Sequence, residues 1–197
     1  TASARALTSI AFPDGTHYYY SYDALGRLSE EHRDGGAERV SYTYDAPGTV
    51  NITDAQNHTA VIRYGPFGET LEINDPLASL TKNAFDSKSQ INQITGPDGK
   101  AISLAYDGRG NSVGILNSLN QLVRMSFEPN RSRLTELVDA RSDKSQFTYD
   151  RLGNLQTIAD PDSSAESFAY DSTGNVAVYT NRRHAAISYT HNARGQI

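Results

Sequence analysis

The feature that most constrains the fold of this 197-residue chain is a short segment that recurs about every twenty-one residues. Its three clearest copies read Tyr-Asp, two variable residues, Gly, a polar residue and an apolar residue, and they begin at Tyr22, Tyr149 and Tyr170. Looser copies begin at Tyr44, Tyr64 and Tyr106, and degenerate copies begin at Phe85, Phe127 and His191. The nine starting positions, called anchors below, are 20 to 22 residues apart. Such a period is typical of an array of small units that pack against their neighbours.

Each unit has the pattern of a β-hairpin. Before the anchor, apolar residues alternate with small or polar ones, as in residues 40–44 and 102–106, which is the period of a half-buried strand. The Asp after the anchor can accept backbone N–H groups of the following turn, and the Gly four residues after the anchor can take a positive φ. In the degenerate copies Ser89 and Arg131 replace this Gly. A second alternating run follows, as in residues 176–178, and ends at a turn rich in Pro, Asp and Gly.

Nine such units predict an all-β fold of roughly eighteen strands, a long antiparallel ribbon of tandem hairpins that curls because neighbouring strands twist. We expect a single array over residues 1–197 without an internal domain boundary. Tyr or Phe occupies eight of the nine anchors, so one face of the ribbon is aromatic and needs to be covered. The alternation does not decide whether that face points inward or outward.

The candidate site is the repeat motif itself, in a structural role. Its residues are Tyr22, Asp23, Gly26, Tyr44, Asp45, Gly48, Tyr64, Gly68, Phe85, Asp86, Tyr106, Asp107, Gly110, Tyr149, Asp150, Gly153, Tyr170, Asp171, Gly174 and Gly195.

Composition excludes several classes of site. The chain has no Cys, which removes disulfides and thiolate chemistry, and its net charge of -5 argues against a nucleic-acid partner. It has no apolar run long enough to span a membrane, and residues 1–5 do not begin a signal peptide. The array begins inside a strand and stops just after Gly195, so we expect a segment of a longer repeat polypeptide, with any export signal outside this chain.

These residues resemble the tyrosine-aspartate (YD) repeat of the RHS, teneurin and Tc-toxin shell proteins, and the resemblance covers essentially the whole chain. It implies a β-ribbon that spirals into a hollow shell. Bacterial RHS proteins and Tc toxins use the shell to enclose a toxic C-terminal polypeptide, whereas teneurins use it as a scaffold for adhesion at the cell surface. The chain lacks the self-cleaving segment that ends many bacterial shells, so autoproteolysis is not expected.

Three patterns raise the possibility of chemistry. Residues 110–114 match the nucleophile elbow G-x-S-x-G around Ser112, but Gly110 is in register with the repeat, which favours a turn. The row of Asp residues after the anchors is compatible with two roles, cation binding and turn capping. The expected positions of the carboxylates fit turn capping better than a cation site. The five His residues lack metal-ligand spacing, and the basic residues 131–133 and 182–184 are expected in solvated turns. We therefore expect no catalytic residues, metal or cofactor.

Polar residues just after the repeat glycine could instead form a recognition stripe. They are Arg27, Asn111, Asn154, Asn175 and Gln196. Turn chemistry is the favoured alternative.

The leading hypothesis is a non-enzymatic shell segment of a secreted or cell-surface protein that encapsulates a toxin or effector. Its partners are then the rest of the shell and the enclosed C-terminal polypeptide. The alternative is a teneurin-like adhesion or carbohydrate-binding scaffold, with Tyr18, Tyr19 and Phe67 as candidate aromatic platforms. For Tyr18 and Tyr19, strand packing is the competing interpretation. Self-association through open strand edges remains possible.

Overall fold

The computed structural model describes residues 6–197, which form eighteen β-strands, one single-turn 3₁₀ helix (Asp34–Gly36) and no α-helix. The contacts divide the chain into two compact units, Thr1–Ala101 and Ile102–Ile197. The opening residues 1–5, in which no signal peptide is predicted, lie outside the described part. The expectation of one array without an internal boundary stays a prediction.

The first unit contains nine antiparallel strands, each hydrogen-bonded to its neighbour in the chain. They are β1 (Ser9–Ala11), β2 (His17–Tyr22), β3 (Leu28–Arg33), β4 (Val40–Thr43), β5 (Thr49–Thr53), β6 (Thr59–Tyr64), β7 (Thr70–Asn74), β8 (Leu80–Phe85) and β9 (Ile91–Thr95).

The second unit has the same arrangement of antiparallel strands. Its first strand, β10, begins at Ala101, one residue before the boundary between the units. Its strands are β10 (Ala101–Tyr106), β11 (Ser112–Leu116), β12 (Leu122–Phe127), β13 (Leu134–Val138), β14 (Lys144–Tyr149), β15 (Leu155–Ala159), β16 (Ala165–Tyr170), β17 (Val176–Thr180) and β18 (Ala186–Ser188). The predicted fold class, all-β tandem hairpins in an antiparallel ribbon, is therefore confirmed.

A β-bulge at the anchor gives the hairpins their common shape. In the clearest example Thr148 pairs with Thr157 but Tyr149 pairs with Leu155, so Gln156 is the extra residue. A bulge of this kind bends the strand and increases its local twist. The same register shift occurs at Tyr22, Tyr64, Phe85, Tyr106, Phe127 and Tyr170. In these seven copies the anchor is thus the last residue of its strand and the point at which the ladder changes register, whereas Tyr44 and His191 lie outside strands β4 and β18.

Every repeat glycine adopts the predicted positive φ, from Gly48 at 70° to Gly153 at 106°. Ser89 takes this conformation in the Phe85 copy, as predicted, with φ 61°. The prediction for the Phe127 copy is wrong, because Ser132 and not Arg131 has the positive φ of 52°. That turn is one residue longer, since the Glu128 N–H donates to the Arg133 carbonyl five residues on.

The turns between hairpins use the same backbone geometry, which the sequence analysis did not anticipate. Here the left-handed position is often filled by a residue other than glycine. These residues are Asn57, Ala78, Asn120, Ser142, Ser163 and His184. Asn is readily accommodated at a positive φ because its side chain forms local hydrogen bonds, whereas Ala has no such compensation.

The ribbon is one layer thick in each unit, and its two faces differ in chemistry. On the apolar face Phe147 pairs with Ile158 and Phe168 with Tyr179, whereas on the opposite face Thr148 pairs with Thr157 through hydroxyls 2.6 Å apart. No hydrophobic side chain among residues 6–197 is fully buried. The described chain therefore leaves the predicted aromatic face half-buried and without a second layer.

The presence of residues other than glycine at the positive-φ position of the turns between hairpins gives a first prediction. Ala78, at φ 62°, is strained by its Cβ, so Ala78→Gly is expected to stabilise the protein by about 1 kcal/mol in urea unfolding. Ala84→Gly, on the exposed side of strand β8, is the matched control and is expected to destabilise it by about 0.5–1 kcal/mol. Equal effects of both changes would contradict the assignment of strain to residue 78.

Candidate functional site: the repeat anchors and turns

Four of the tyrosine anchors tie their hairpin to the one before it through a hydroxyl group. The acceptors are backbone carbonyls 15 or 16 residues earlier, most of them on the first residue of the preceding hairpin's second strand. The bonds run from Tyr22 to Leu7 (2.7 Å), Tyr44 to Leu28 (2.8 Å), Tyr149 to Leu134 (2.8 Å) and Tyr170 to Leu155 (2.7 Å). Each phenol thus adds a side-chain bond across the strands beside the backbone ladder.

The Phe85 copy keeps this link with a different donor. Phe85 has no hydroxyl, but Asn83, two residues earlier in strand β8, donates its Nδ2 to the Thr70 carbonyl at 2.9 Å. Thr70 is the first residue of β7, the position that carries the acceptor in the tyrosine copies. A replacement donor at this position indicates that the carbonyl at the bulge needs a partner.

The Asp after the anchor caps the hairpin turn in five of the six copies that have one. One carboxylate oxygen accepts the backbone N–H groups two and four residues on, at 2.8 to 3.0 Å. The five residues are Asp23, Asp86, Asp107, Asp150 and Asp171. The same pair of hydrogen bonds to one side-chain oxygen forms in turns between hairpins. The acceptors there are Asp54, Asp75, Asn117, Asp139 and Asn181.

Two copies depart from this pattern. The prediction of turn capping is wrong for Asp45, because the residue two positions on is Pro47, which has no N–H to donate. The Asp45 carboxylate instead accepts the Asn51 Nδ2 at 2.5 Å. The copy that begins at Tyr64 has no Asp after the anchor, and the Glu69 carboxylate accepts the Phe67 N–H at 2.9 Å from the other side of the turn.

The polar residues after the glycine complete the turn instead of forming a free stripe. Asn111 and Asn154 donate Nδ2 to the second oxygen of Asp107 and Asp150 at 2.8 and 2.9 Å, and Arg27 donates to Asp23 at 2.7 Å. Asn175 makes a longer contact of 3.4 Å to Asp171, and Gln196 accepts from Asn192 at 3.0 Å. This geometry agrees with turn chemistry, the favoured interpretation.

These hydrogen bonds stabilise the ionised form of the Asp107 and Asp171 carboxylates. The Thr173 hydroxyl, at 2.7 Å, and the Asn175 N–H lower the pKa of Asp171 to about 2. The Asn111 amide lowers the pKa of Asp107 in the same way. Each charge is satisfied within its own turn, and residues 6–197 contain no group of three or more His or acidic side chains that could hold a metal ion.

Two arginines join neighbouring turns of the second unit. Arg133 pairs with both oxygens of Glu128 and lies 4.4 Å from the centre of the Tyr149 ring, so the prediction of a solvated basic turn is wrong for it. Arg131 donates to the Leu152 carbonyl at 3.1 Å. A Cβ on Gly153 would lie 2.8 Å from Arg133 Nη1, so that guanidinium would have to shift, and the φ of 106° itself favours glycine there.

The remaining candidates lie in ordinary strands and turns. Ser112 is the first residue of strand β11 and is not on a strand-to-helix turn, as an elbow requires. The Tyr19 ring stacks between His17 and His32, and the Tyr18 ring stacks on Tyr20. Strand packing is therefore the geometry of both tyrosines.

Phe67 differs from these tyrosines because it lies at the tip of its turn. Its side chain is 86% exposed. Among the three candidate platforms, Phe67 is the one whose ring makes no contact with another aromatic ring of the described residues.

Together the fold and the repeated turn define a tandem β-hairpin protein in which four anchor tyrosines fasten their unit to the preceding one. The Teneurin YD-shell family model matches residues 77–197, which is more than half of the chain. The chain therefore belongs to the teneurin YD-shell family, and the predicted resemblance to YD-repeat shell proteins is confirmed. A comparison with the curated proteins gives no significant match.

Solved structures support the fold independently of this match. The chain is similar to the crystal structure of TcdB2-TccC3-Cdc42, with 14% identity, a TM-score of 0.57 and 88% of this chain covered. It is also similar to that of TcdB2-TccC3, with 13% identity, a TM-score of 0.52 and again 88% coverage. The matches span only 12% and 13% of those chains. At this identity the likeness concerns the fold alone.

In the described part of the chain, no helix has the length and apolar character needed to cross a membrane.

The role of Asn83 gives a second prediction. Asn83→Leu leaves the Thr70 carbonyl without its donor and is expected to cost about 1–3 kcal/mol in urea unfolding. Adding Phe85→Tyr to this variant supplies a hydroxyl at the anchor and is expected to recover most of that loss. Phe85→Tyr alone, with Asn83 still in place, is the control and is expected to change stability little. Failure of the double variant to recover would contradict the proposed substitution of one donor for another.

The lowered pKa of Asp171 gives a third prediction. The folded-state pKa of about 2 lies below the ordinary value of 3.8, so this group stabilises the fold above pH 4 and its contribution is lost as the pH falls towards 2. Asp171→Asn, which keeps the acceptor, is expected to reduce the fall in Tm between pH 5 and pH 2.5. Asn181→Asp, in an equivalent turn, is expected to increase it. The same acid dependence in all three proteins would contradict this assignment.

Proposed function

We propose that the chain is a non-enzymatic wall segment of a secreted or cell-surface YD shell that encloses a toxin or effector polypeptide. The observation that carries the proposal is the one-layered sheet with a half-buried apolar face and an opposite face of paired polar side chains. A wall has this chemistry when one surface contacts water and the other contacts a polypeptide. Membership of the YD-shell family supports the same role.

The turns suit such a wall because they leave few free polar groups at the rims. Asx capping satisfies backbone N–H groups of successive hairpin turns, and four anchor hydroxyls fasten their hairpin to the preceding one. The similarity to TcdB2-TccC3 supports the fold of the wall, and the enclosed partner is our inference. In this proposal the apolar face contacts the enclosed polypeptide, and no catalytic group is required in the wall.

A photo-crosslinking experiment on the full-length polypeptide that contains this chain tests the proposal. Benzoylphenylalanine replaces Phe147 on the apolar face or, as matched control, the adjacent Thr148 on the polar face. We expect intramolecular crosslinks from position 147 to sequence outside the repeat array, protected from protease, and none from position 148. Crosslinks from position 148 alone, or full protease sensitivity of all sequence outside the array, would overturn the proposal.

The second candidate is a teneurin-like adhesion or carbohydrate-binding scaffold, and the exposed Phe67 favours it. An aromatic ring at a turn tip can stack on a sugar. Millimolar monosaccharides are then expected to shift the Phe67 ring signals in an NMR titration, and Phe67→Ala is expected to abolish binding. Phe12, also exposed at 42%, is the comparison ring. Unchanged Phe67 signals would exclude this role. Self-association through strand edges stays a prediction.

A further inference from the structure

One carboxylate of the first unit lies on the apolar face, beside two tyrosines. Tyr20 and Glu31 are paired directly across strands β2 and β3, and Glu31 is paired with Val40 on strand β4. Tyr42, two residues after Val40, donates its hydroxyl to Oε1 of Glu31 at 2.9 Å. Directly paired residues and residues two apart in a strand share a face, so these side chains lie on the face that carries Ile52, the partner of Tyr42. Tyr20, Glu31 and Tyr42 are called the Glu31 site below.

The Glu31 carboxylate has a free acceptor. Its second oxygen, Oε2, has no hydrogen-bond or ion-pair partner among residues 6–197, and it is not sealed from solvent. The two arginines that flank the site in the sequence are already paired. Arg33 pairs with Glu38 at 3.0 Å, and Arg39 pairs with Glu30 at 2.5 Å. A half-buried carboxylate without a cation costs free energy on an apolar face, so a cation that reaches Oε2 binds favourably.

The chain itself shows which cation fits such a site. Among residues 6–197, an arginine guanidinium lies over a tyrosine ring in three places, and in each it also pairs with a carboxylate 2.5 to 3.0 Å away. The arginine–tyrosine pairs are Arg27 and Tyr44 (4.1 Å), Arg33 and Tyr18 (5.1 Å), and Arg133 and Tyr149 (4.4 Å). A guanidinium is planar and weakly hydrated, so it stacks on a ring while its N–H groups bind a carboxylate. The Glu31 site has the rings and the carboxylate, but no residue of the described chain supplies its guanidinium.

One of these three places lies beside the Glu31 site on the same two strands. Tyr18 and Arg33 are directly paired, as Tyr20 and Glu31 are two residues away. The Tyr18 hydroxyl donates to the carboxylate that pairs with Arg33, at 3.3 Å, just as the Tyr42 hydroxyl donates to Glu31. Burial and the Glu31 carboxylate raise the pKa of Tyr42 to about 12, so its hydroxyl stays a donor to Oε1 and leaves Oε2 to a cation.

We propose that the Glu31 site binds the guanidinium group of an arginine side chain, and that this arginine belongs to the enclosed polypeptide. The guanidinium lies over the Tyr20 ring and donates to Oε2 of Glu31. The identity of the partner rests on the proposed function, because a polypeptide against the apolar face brings the arginine to the site. The binding site is a property of the first unit and is testable without that partner.

An NMR titration of the 197-residue chain with blocked amino acids tests the binding site. The ring signals of Tyr20 and Tyr42 are followed as N-acetylarginine amide, N-acetyllysine amide or N-acetylcitrulline amide is added. Citrulline has nearly the shape of arginine without its charge. We expect arginine to bind about tenfold more tightly than citrulline, because a hydrogen bond to a charged group contributes roughly that factor. Lysine is expected to bind less tightly than arginine, since an ammonium does not stack flat on a ring. Equal binding of arginine and citrulline, or tightest binding of lysine, would overturn the proposal.

Substitutions locate the bound guanidinium. Glu31→Gln keeps an acceptor for the Tyr42 hydroxyl but removes the charge, so the affinity for arginine is expected to fall about tenfold. Val40→Arg places an arginine directly opposite Glu31 and is expected to abolish binding, because the site is then filled from within the chain. Glu30→Gln, on the opposite face of the same strand, is the matched control and leaves the affinity unchanged.

Unchanged affinity for arginine in the Glu31→Gln protein would place the ligand elsewhere and overturn the assignment. If Val40→Arg disturbs the strand pairing, Glu31→Gln, which preserves the size and the hydrogen bond of the side chain, still decides the question.

Photo-crosslinking of the full-length polypeptide tests the partner. Benzoylphenylalanine in place of Val40, the residue opposite Glu31, is expected to join the first unit to a segment of the enclosed polypeptide that contains an arginine. Crosslinks from position 147 but none from position 40, or a crosslinked segment without arginine, would overturn the arginine partner and leave the proposed function standing. Absence of crosslinks from both positions would overturn the proposed function and its partner, whereas the titration reports on the binding site in either case.

Discussion

The structure depends on the hydrogen bonds that join each hairpin to the one that precedes it. In a sheet with a single layer there is no buried hydrophobic core to hold the strands, and residues 6–197 contain no fully buried hydrophobic side chain. Cohesion comes instead from the backbone ladder, from cross-strand side-chain pairs and from the hydroxyls of residues such as Tyr149 and Tyr170. Because each contribution is local, stability grows by the addition of neighbours, as in other repeat proteins.

The anchor position also explains the departures from the repeat. At Phe85 the hydroxyl is missing, and Asn83 donates to the same type of carbonyl from two residues away. At His191 no such replacement is found among the contacts of the described chain, and an apolar pocket lies beside the imidazole. The loss of the phenol is thus compensated by a neighbouring donor at Phe85, whereas the Nδ1 atom of His191 stays without a hydrogen-bond partner.

One turn design serves both rims of the ribbon. A side-chain oxygen of Asp or Asn accepts two backbone N–H groups, and the residue three positions after that Asp or Asn has a positive φ. The carboxylates are therefore occupied by their own turns and are poor candidates for cation binding. A wall built in this way presents its chemistry through its faces, one apolar and one polar, which is why the proposed function concerns enclosure and not catalysis.

The sequence alone predicted much of the fold, because the relevant physics is local. Strand alternation, the Asp that caps a turn and the Gly that takes a positive φ all act within six residues, so the period of about twenty-one residues predicted the hairpins and most of their turns. The local rules failed where a single neighbour changed them, as at Asp45, where Pro47 lacks an N–H, and at Ser132, where the turn is one residue longer.

Only the tertiary structure decided which residues meet between hairpins. The 15-residue reach of the Tyr170 hydroxyl, the donor role of Asn83, the contact of Arg133 with Tyr149 and the pocket beside His191 all depend on strand pairing and on the bulge at the anchor. A bulge shifts the register by one residue and so changes which side chains face each other. The sequence determined the unit and its repetition, whereas the register between units determined where an unsatisfied group or an open space remains.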